Sequence, residues 1–553
     1  MQEQITIHCV NNNRPIKVEA GSTLEEIYRQ TSIEGLGDIA AARVNNVVKG
    51  LDFIVYTNKD VEFLDLHSPS GLRTYTRSLF FILGYAIKKL FPDKDFCMEA
   101  PVSNGYYCRL DLGRPLEDED IANIRRCMDE VISKDLPFQR TVCHTEDAIK
   151  LFKSKGMESK VRLLGSLQTL YSSYHTLEDY SDYYYGALLP RTGKIHLYDI
   201  MRYHDGVLVR VPDGNNPLVL KPLIKQNKML DIFREHQRWQ KIIGLRTIGD
   251  LNAASSNGYT SDLINIAEAL QEKKICQIAE EIQHRPEVRL VLISGPSSSG
   301  KTTFSKRLAI QLMVCGYHPV AFSMDDYFVD RVKTPRDAKG EYDFESIDAL
   351  NLSRLEHDLQ ELFAGHEIEL PKYNFQTGKS EMSGKKLRLD QRTIIIMEGI
   401  HGLNPKLTEN ISDLLKYKIY VSALTTILLD DHNYIPTTDN RLLRRIVRDY
   451  KYRGYSALDT IKRWPSVTAG EQKWIFPYQE NADIMFNSAL LFELAGLRNQ
   501  ALPLLEMVPE NVPEHSEAYR LKKFLQYIQP MQIDDLPPTS LLREFLGGSS
   551  FHY

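Results

Sequence analysis

Apolar runs that alternate with amphipathic stretches mark the second half of the chain. Val288 and residues 290–293 form a short apolar run, which predicts a buried strand of a parallel sheet. Phe304, Leu308 and Leu312 follow at helical spacing and predict an amphipathic helix. Further strand-like apolar segments lie at 319–324, 393–397, 417–421 and 483–486. The alternation predicts an α/β domain whose parallel sheet is covered by helices on both faces.

A glycine-rich loop joins the first predicted strand to that helix. Residues 295–302 read GPSSSGKT and fit the pattern G-x-x-x-x-G-K-[ST] at every fixed position. In the order strand, loop, helix, the backbone N–H groups of such a loop bind the phosphates of a nucleoside triphosphate. Lys301 should reach the β- and γ-phosphates, and the Thr302 hydroxyl should bind magnesium. The predicted nucleotide-binding residues of the loop and helix start are Gly295, Pro296, Ser297, Ser298, Ser299, Gly300, Lys301, Thr302 and Thr303.

Acidic residues follow two other predicted strands. Asp325 comes directly after the segment 319–324, and Glu398 comes directly after 393–397. Because open α/β sheets bind ligands at the carboxyl ends of their strands, we expect both carboxylates near the phosphates. Glu398 and Thr302 are the predicted metal ligands. The expected cofactor is Mg²⁺, and the expected phosphoryl donor is ATP.

A cluster of arginines forms a third element. Arg441, Arg444, Arg445 and Arg448 include pairs that lie three or four residues apart, so one side of a helix can present several guanidinium groups. Beside a triphosphate site, we interpret this helix as a lid whose arginines stabilise the transferring charge.

Together these features resemble the phosphoribulokinase/uridine kinase family from Val288 to about residue 487. Besides the loop, the motifs that carry the resemblance are Asp325-Asp326-Tyr327-Phe328, Tyr342-Asp343-Phe344-Glu345, Pro371-Lys372-Tyr373-Asn374-Phe375, Glu398-Gly399-Ile400 and the arginine run 441–449. The resemblance implies a phosphotransferase with an alcohol acceptor, in particular a nucleoside kinase acting on the 5′-hydroxyl of a uridine- or cytidine-like acceptor. The catalytic residues it implies are Asp325 as the base, Lys301 and Arg444. The residues it places at the acceptor are Asp325, Tyr327, Asp343, Tyr373 and Arg441, while Arg444 and Arg448 would face ATP.

The acceptor motif departs from that family. Counted from Tyr373, Asn374 replaces an aspartate, and Gly378 stands where uridine–cytidine kinases have a base-contacting histidine. Losing such a hydrogen bond can redirect selectivity by orders of magnitude. Two alternatives therefore stay open. One is a kinase for a sugar phosphate or pantothenate-like hydroxyl, and the other is an ATP-dependent regulatory module that binds tRNA or ribosomes.

The N-terminal half resembles parts of threonyl-tRNA synthetase. Residues 1–65 are similar to a TGS domain, a ubiquitin-like α+β module, and residues 66–225 to the α+β editing-type second domain. Arg77 and Phe81 stand where that family has the first two histidines of its site, so editing chemistry is not expected. The remaining predicted units are a helical connector at 226–286, the α/β P-loop kinase domain at 287–490 and a C-terminal helical extension at 491–553.

Net charge, cysteine content and the lack of apolar runs bear on the partners and the cellular location of the protein. The net charge of −5 argues against a general nucleic-acid coat but permits a local basic patch, so RNA contact through the N-terminal domains is one expectation. The seven cysteines form no C-x-x-C pair, and no apolar run or leader suggests a membrane span or export. We expect a cytoplasmic protein with a small-molecule acceptor, no membrane partner and homo-oligomeric assembly.

Overall fold

The first unit is a mixed β-sheet with one short helix. A computed structural model of the protein describes residues 3–167, 169–336, 340, 342–374 and 376–552, so Phe375 of the acceptor motif lies outside the described residues. The elements of the unit are β1 (Gln4–Cys9), β2 (Arg14–Glu19), β3 (Ser22–Thr23), α1 (Leu24–Arg29), β4 (Ala41–Val44), β5 (Val47–Lys49), β6 (Ile54–Val55) and β7 (Lys59–Leu64). The sheet order is β2-β1-β7-β4-β5, with β1 and β7 parallel. This is the predicted α+β unit, and its assignment as a TGS domain stays a prediction.

The second unit packs a long, largely buried helix against antiparallel sheets. Its elements are α2 (Pro69–Leu90), β8 (Phe96–Val102), β9 (Gly105–Leu110), α3 (Asp118–Ser133), β10 (Gln139–His144), α4 (Thr145–Ser154), α5 (Glu158–Gly165), β11 (Tyr171–Leu177), β12 (Tyr180–Asp182), β13 (Asp199–Tyr203), β14 (Gly206–Arg210), β15 (Pro212–Asp213) and β16 (Asn216–Leu220). The larger sheet has the order β13-β14-β9-β8. Phe81 is fully buried among Phe138, Tyr180 and Tyr184, so a position that holds a histidine in the similar family is part of the core here.

Three helices connect this half to the next. They are α6 (Asn227–Ile243), α7 (Ile248–Ser256) and α8 (Thr260–Gln283). All three lie within the helical connector predicted at 226–286. The short helix α7 begins at a capping box formed by Thr247 and Asp250, and its buried side chains join the main core.

The α/β unit is built on a five-stranded parallel sheet. Its elements are β17 (Leu290–Ser294), α9 (Lys301–Val314), β18 (His318–Ser323), α10 (Leu352–Phe363), β19 (Ile368–Asn374), β20 (Lys379–Leu387), β21 (Thr393–Glu398), β22 (Lys416–Ser422), β23 (Leu428–Asp430), β24 (Asn433–Tyr434), α11 (Thr437–Arg453), α12 (Ala457–Trp474) and β25 (Ile484–Asn487). The order β18-β21-β17-β22-β25 places β17 at the centre. All four neighbouring pairs are parallel, as predicted.

One part of this unit departs from the predicted alternation. Strands β19 and β20 form an antiparallel hairpin outside the main sheet. The residues of β20 are mostly exposed and polar, so the strand has no apolar face to reveal it in the sequence. The hairpin carries Tyr373 to the same side of the sheet as Asp326, whose carboxylate accepts a long hydrogen bond from the Tyr373 N–H at 3.4 Å.

The C-terminal extension contains α13 (Glu493–Glu506), α14 (His515–Leu525) and α15 (Arg543–Leu546). The first of these helices begins at Glu493, because residues 488–492 form the turn that follows β25. Apolar side chains of all three helices belong to the same buried cluster as β17, α9 and α11. No helix in the described ranges is long and apolar enough to cross a bilayer.

A buried polar cluster joins the second unit to the α/β unit. The Lys160 ammonium lies 2.8 Å from Asp182 and 2.9 Å from Asp430. The His432 ring bonds Asp182 at 2.7 Å and Asp95 at 2.8 Å. These side chains are almost fully buried apart from Asp95, so the contact fixes how the two units meet.

Candidate active site

The loop 295–300 lies at the carboxyl end of the central strand. All five residues of β17 are buried, and α9 begins at Lys301 directly after the loop. A Cβ atom at Gly295 would overlap the carbonyl oxygen of Val421, and Gly300 has a φ of +82°. Both positions therefore require glycine, and they let the backbone turn sharply into a helix whose free N–H groups favour anions.

Lys301 lies inside the curve of the loop. Its ammonium donates to the carbonyl oxygens of Gly295 at 2.8 Å and Pro296 at 3.1 Å. Burial lowers the pKa of Lys301, whereas nearby Glu398, Glu544 and Glu471 act to raise it. With its ammonium held by two loop carbonyls, Lys301 is placed to bind phosphate oxygens that enter the loop.

The predicted metal ligands are brought together by the fold. The Thr302 hydroxyl donates to one Glu398 oxygen at 2.9 Å. The other Glu398 oxygen is buried and has no hydrogen-bond partner among the described residues. Burial raises the pKa of Glu398, and Lys301 and Thr302 oppose that rise.

These two side chains fit Mg²⁺, which commonly takes one or two protein oxygens together with water and substrate phosphates. A cluster of three or more His, Cys, Asp or Glu residues suited to hold a metal is not found in the described part of the chain. When bound between Thr302 and Glu398, Mg²⁺ would neutralise phosphate charge.

Asp325 lies at the end of β18, beside the nucleotide loop. Burial and the adjacent Asp326 raise the pKa of its carboxyl, and Lys301 acts in the opposite direction. A carboxylate with a raised pKa is better suited to accept a proton than an ordinary exposed aspartate. The role of base that the family resemblance implies for Asp325 stays a prediction.

The other predicted acceptor residues lie at different depths. The Tyr327 hydroxyl donates to buried Asp358 at 2.9 Å, and its ring stacks on Phe322, so this tyrosine supports the core beneath the site. The buried Tyr373 packs edge-on against Phe328.

Asp343, another predicted acceptor residue, accepts the backbone N–H of Glu345 at 3.1 Å. Burial, then Glu471 and Asp343, raises the pKa of Glu345 to about 7.

Helix α11, which carries the arginine cluster, packs against the loop and holds it by hydrogen bonds, and it does not form a solvent-facing lid. Arg441 donates to the Ser297 carbonyl at 2.9 Å and pairs with Glu471. Arg444 is fully buried and forms a bidentate pair with Glu493 at 2.6 and 2.7 Å. Its guanidinium also contacts the Ser298 carbonyl at 3.3 Å. The lid interpretation fails here because these guanidinium groups satisfy buried carboxylates and loop carbonyls.

The two outer arginines of the helix are also engaged by protein groups. Arg445 donates to the Ser297 hydroxyl at 2.8 Å. Arg448 bonds Asp449 at 2.7 Å. The described partner of the Arg448 guanidinium is thus Asp449, so the prediction that this arginine faces ATP stays a prediction.

Three residues that the sequence did not single out lie at the site. Glu471 accepts the Ser297 N–H at 2.8 Å, and Glu544 accepts the Thr303 N–H and hydroxyl at 3.3 and 2.6 Å. Neither glutamate belongs to a recognisable motif. The buried His401, three positions after Glu398, could have been found as a polar residue following a strand.

His401 is a buried imidazole close to Asp343, one of the predicted acceptor residues. Its ring packs edge-on against Trp474 at 5.8 Å, and burial lowers its pKa to about 4. Neither ring nitrogen has a hydrogen-bond partner of good geometry among the described residues, although the backbone of Glu345 is near. Such a buried, unsatisfied ring is suited to bind a hydroxyl of a ligand.

Comparison with known proteins agrees with this geometry. Residues 290–491 match the Phosphoribulokinase / Uridine kinase family. Solved structures similar to part of this chain include a candidate fructose transport system kinase from Silicibacter sp. TM1040, with 16% identity, a TM-score of 0.27 and coverage of 38% of this chain and 98% of that chain. D-glycerate 3-kinase from Cryptococcus neoformans has 12% identity and a TM-score of 0.22, over 46% of this chain and 87% of that chain. These TM-scores are low, and the sheet order itself defines the fold.

The N-terminal region is similar to threonine–tRNA ligases. The protein from Clostridioides difficile (strain 630) is 28% identical over 225 residues, which are 38% of this chain and 35% of the relative. That from Rubrobacter xylanophilus is 26% identical over 248 residues, 43% of this chain and 38% of the relative. The chain thus spans little more than a third of the length of these relatives. Residues 290–491 therefore match the phosphoribulokinase/uridine kinase family, and they follow a region similar to threonine–tRNA ligases.

Proposed function

We propose that this protein is an ATP- and Mg²⁺-dependent kinase that transfers the γ-phosphoryl group to a hydroxyl of a neutral small molecule, and that a nucleoside 5′-hydroxyl is the acceptor. The observation that carries the proposal is the convergence of Lys301, the Thr302–Glu398 pair and Asp325 at the carboxyl ends of three adjacent parallel strands. Phosphoryl transfer needs a phosphate cradle, a metal and a positioned acceptor hydroxyl, and this edge of the sheet offers residues for each.

In the proposed reaction, the N–H groups of the loop and the Lys301 ammonium hold the triphosphate. Bound Mg²⁺ supplies charge neutralisation at the phosphates. Asp325 accepts the proton of the acceptor hydroxyl as its oxygen attacks phosphorus. Arg441 and Arg444 hold the loop carbonyls of Ser297 and Ser298, and so act as positioning residues for the cradle.

The charges on the acceptor side favour a neutral acceptor over a phosphorylated or carboxylated one. Asp325, Asp326, Asp343 and Glu345 border this side, while the nearby Arg441 is already paired with Glu471. The carboxylates on this side would repel an anionic sugar phosphate or pantothenate, whereas hydroxyls can bind to carboxylates and to a neutral imidazole such as His401. The negative charge on this side therefore supports a nucleoside acceptor over a sugar phosphate or a pantothenate-like acceptor.

A coupled ADP-release assay with Mg²⁺-ATP tests this proposal. A panel of nucleosides, sugar phosphates and pantothenate is added to the full chain, and the Lys301→Ala variant serves as the blank. Stimulation by a nucleoside with formation of its 5′-monophosphate is the expected result. Stimulation by an anionic acceptor would keep the kinase and reject the neutral-acceptor argument. GTP in place of ATP tests the donor.

One observation favours a second candidate function, the binding of RNA by the N-terminal half. Lys49, Arg77, Arg140 and Lys523 converge from the first unit, the second unit and α14, and no ion pair joins them to a carboxylate in the described part of the chain. Burial, followed by these like charges, lowers the pKa of Lys523. Arg77 Nη1 is buried without a hydrogen-bond partner among the described residues. Unneutralised cations that meet in one place suit a phosphodiester backbone.

Binding of a fluorescent tRNA, followed by anisotropy, tests this candidate. The charge reversals Arg140→Glu and Lys523→Glu should each weaken binding at least tenfold. The matched control is Lys153→Glu, an exposed lysine of α4. An equal loss in all three variants would indicate diffuse electrostatic attraction, and no binding by the unmodified chain would reject the candidate.

A further inference from the structure

The C-terminal end of the chain lies on the phosphate cradle. Residues 540–548, which include α15, contact the loop 295–300 and the first turn of α9. The Glu544 carboxylate accepts hydrogen bonds from the Thr303 backbone N–H at 3.3 Å and the Thr303 hydroxyl at 2.6 Å. Free N–H groups at this turn are the groups that bind nucleotide phosphates in such loops. Glu544 thus places an anion where a phosphate oxygen would bind.

The carboxylates near Lys301 also indicate that Glu544 takes the place of a phosphate. The carboxylates of Glu398, Glu544 and Glu471 lie near enough to Lys301 to act on its pKa, and each of them raises it. Glu398 is paired with Thr302, and Glu471 accepts a loop N–H from within the kinase domain. Glu544 is the member of this set that comes from outside the residues matched to the kinase family, 290–491.

Buried apolar side chains, a ring–guanidinium contact and a hydrogen bond hold residues 540–548 against the loop. Leu541 approaches Gly300 so closely that a Cβ atom there would overlap its side chain. The Phe545 ring packs on the Arg444 guanidinium, 4.9 Å from its centroid. Lys451 donates to the carbonyl of Leu546 at 2.6 Å. Leu541 and Phe545 are fully buried, so their burial favours the closed arrangement.

We propose that residues 540–548 are an autoinhibitory segment that competes with the nucleotide for the cradle, with Glu544 in the place of a phosphate. Binding of a nucleoside triphosphate displaces the Glu544 carboxylate from Thr303 and releases the segment from Gly300 and Arg444. The inference rests on the proposed function in one respect: it takes a nucleotide as the ligand of the cradle.

Calorimetric titration of the full chain with Mg²⁺-ATP, without any acceptor, tests the competition. Glu544→Gln keeps the size of the side chain and removes its charge, and it should lower the Kd for ATP about tenfold relative to the unmodified chain. Glu506→Gln, at the exposed end of α13, is the matched control and should leave the Kd unchanged. Thermal unfolding of each variant establishes that it is folded.

Amide hydrogen exchange tests the release. Saturating Mg²⁺-ATP should increase exchange of residues 541–548 in the unmodified chain while it protects the loop 295–302. Tighter binding by Glu544→Gln without faster exchange of the segment would overturn the release step.

The outcomes separate this inference from the proposed function. Equal affinities of Glu544→Gln and the unmodified chain, with unchanged exchange of the segment, would overturn the autoinhibitory role while nucleotide binding stands. If neither chain bound ATP at millimolar concentration, the cradle would not be a nucleotide site, and the proposed kinase function would fail with it.

Discussion

The Thr302 hydroxyl donates to the Glu398 carboxylate across 2.9 Å, which joins the first turn of α9 to the end of β21. If this pair holds Mg²⁺, Glu398→Gln should lower kcat about 100-fold and raise the Mg²⁺ concentration needed for half-maximal rate. Titration of the rate with Mg²⁺ measures both effects. Ser305→Ala, which removes a hydroxyl that bonds the Thr302 carbonyl, is the control and should have a small effect. An unaltered Mg²⁺ dependence in Glu398→Gln would place the metal elsewhere.

Lys301→Ala should reduce phosphoryl transfer at least about 1000-fold, because no other ammonium is bonded to the loop carbonyls of Gly295 and Pro296 in the described part of the chain. Single-turnover rates with the best acceptor measure the loss. Lys306→Ala, on the same helix, should retain activity. Equal rates for Lys301→Ala and the unmodified chain would remove the loop from the mechanism.

Asp325→Asn should lower kcat by about 10³-fold while ATP still binds. The neighbouring Asp326→Asn keeps an oxygen for the Tyr373 N–H and should be much less affected. Since burial raises the pKa of Asp325, the rate of the unmodified chain should fall as the pH drops through that raised pKa, where the base becomes protonated. If Asp325→Asn also failed to bind Mg²⁺-ATP, the residue would be a metal ligand or a structural group instead of the base.

Arg444→Met should destabilise the protein by about 3–5 kcal/mol, because it leaves the buried Glu493 carboxylate without its partner. The double variant Arg444→Met with Glu493→Met should recover much of that free energy of unfolding, which denaturant titration measures. A fully stable Arg444→Met variant with strongly reduced kcat would instead favour the catalytic role that the family resemblance implies.

The interface between the second unit and the α/β unit should weaken at alkaline pH. Burial lowers the pKa of His432, but the nearby carboxylates of Asp95 and Asp182 outweigh that effect and raise the pKa to about 10. A raised pKa means that the stabilisation is fully present below the unfolded pKa of about 6.5 and is lost as the pH rises toward 10. The advantage of the unmodified chain over His432→Asn in unfolding free energy should therefore decline across this range. A difference that stays constant with pH would show that His432 is not charged in the folded state.

The sequence alone determined the local parts of the nucleotide site. A loop with glycines at fixed positions, a lysine and a threonine after it, and acids directly after apolar strands are all local patterns. The parallel sheet follows from the alternation of strands with helices, and its strand ends bring Thr302 and Glu398 together. Each of these features is predictable because short-range stereochemistry and strand direction fix it.

The tertiary structure decided which charges meet. The periodicity of α11 shows that Arg441 and Arg444 share a side, but not that Glu471 and Glu493 neutralise them beneath the loop. The positions of Glu544, over 240 residues from Thr303, and of His401 beside Trp474 depend on packing between distant elements. Such long-range pairs leave no periodic mark in the sequence, because burial and electrostatics select them only when the whole chain has folded.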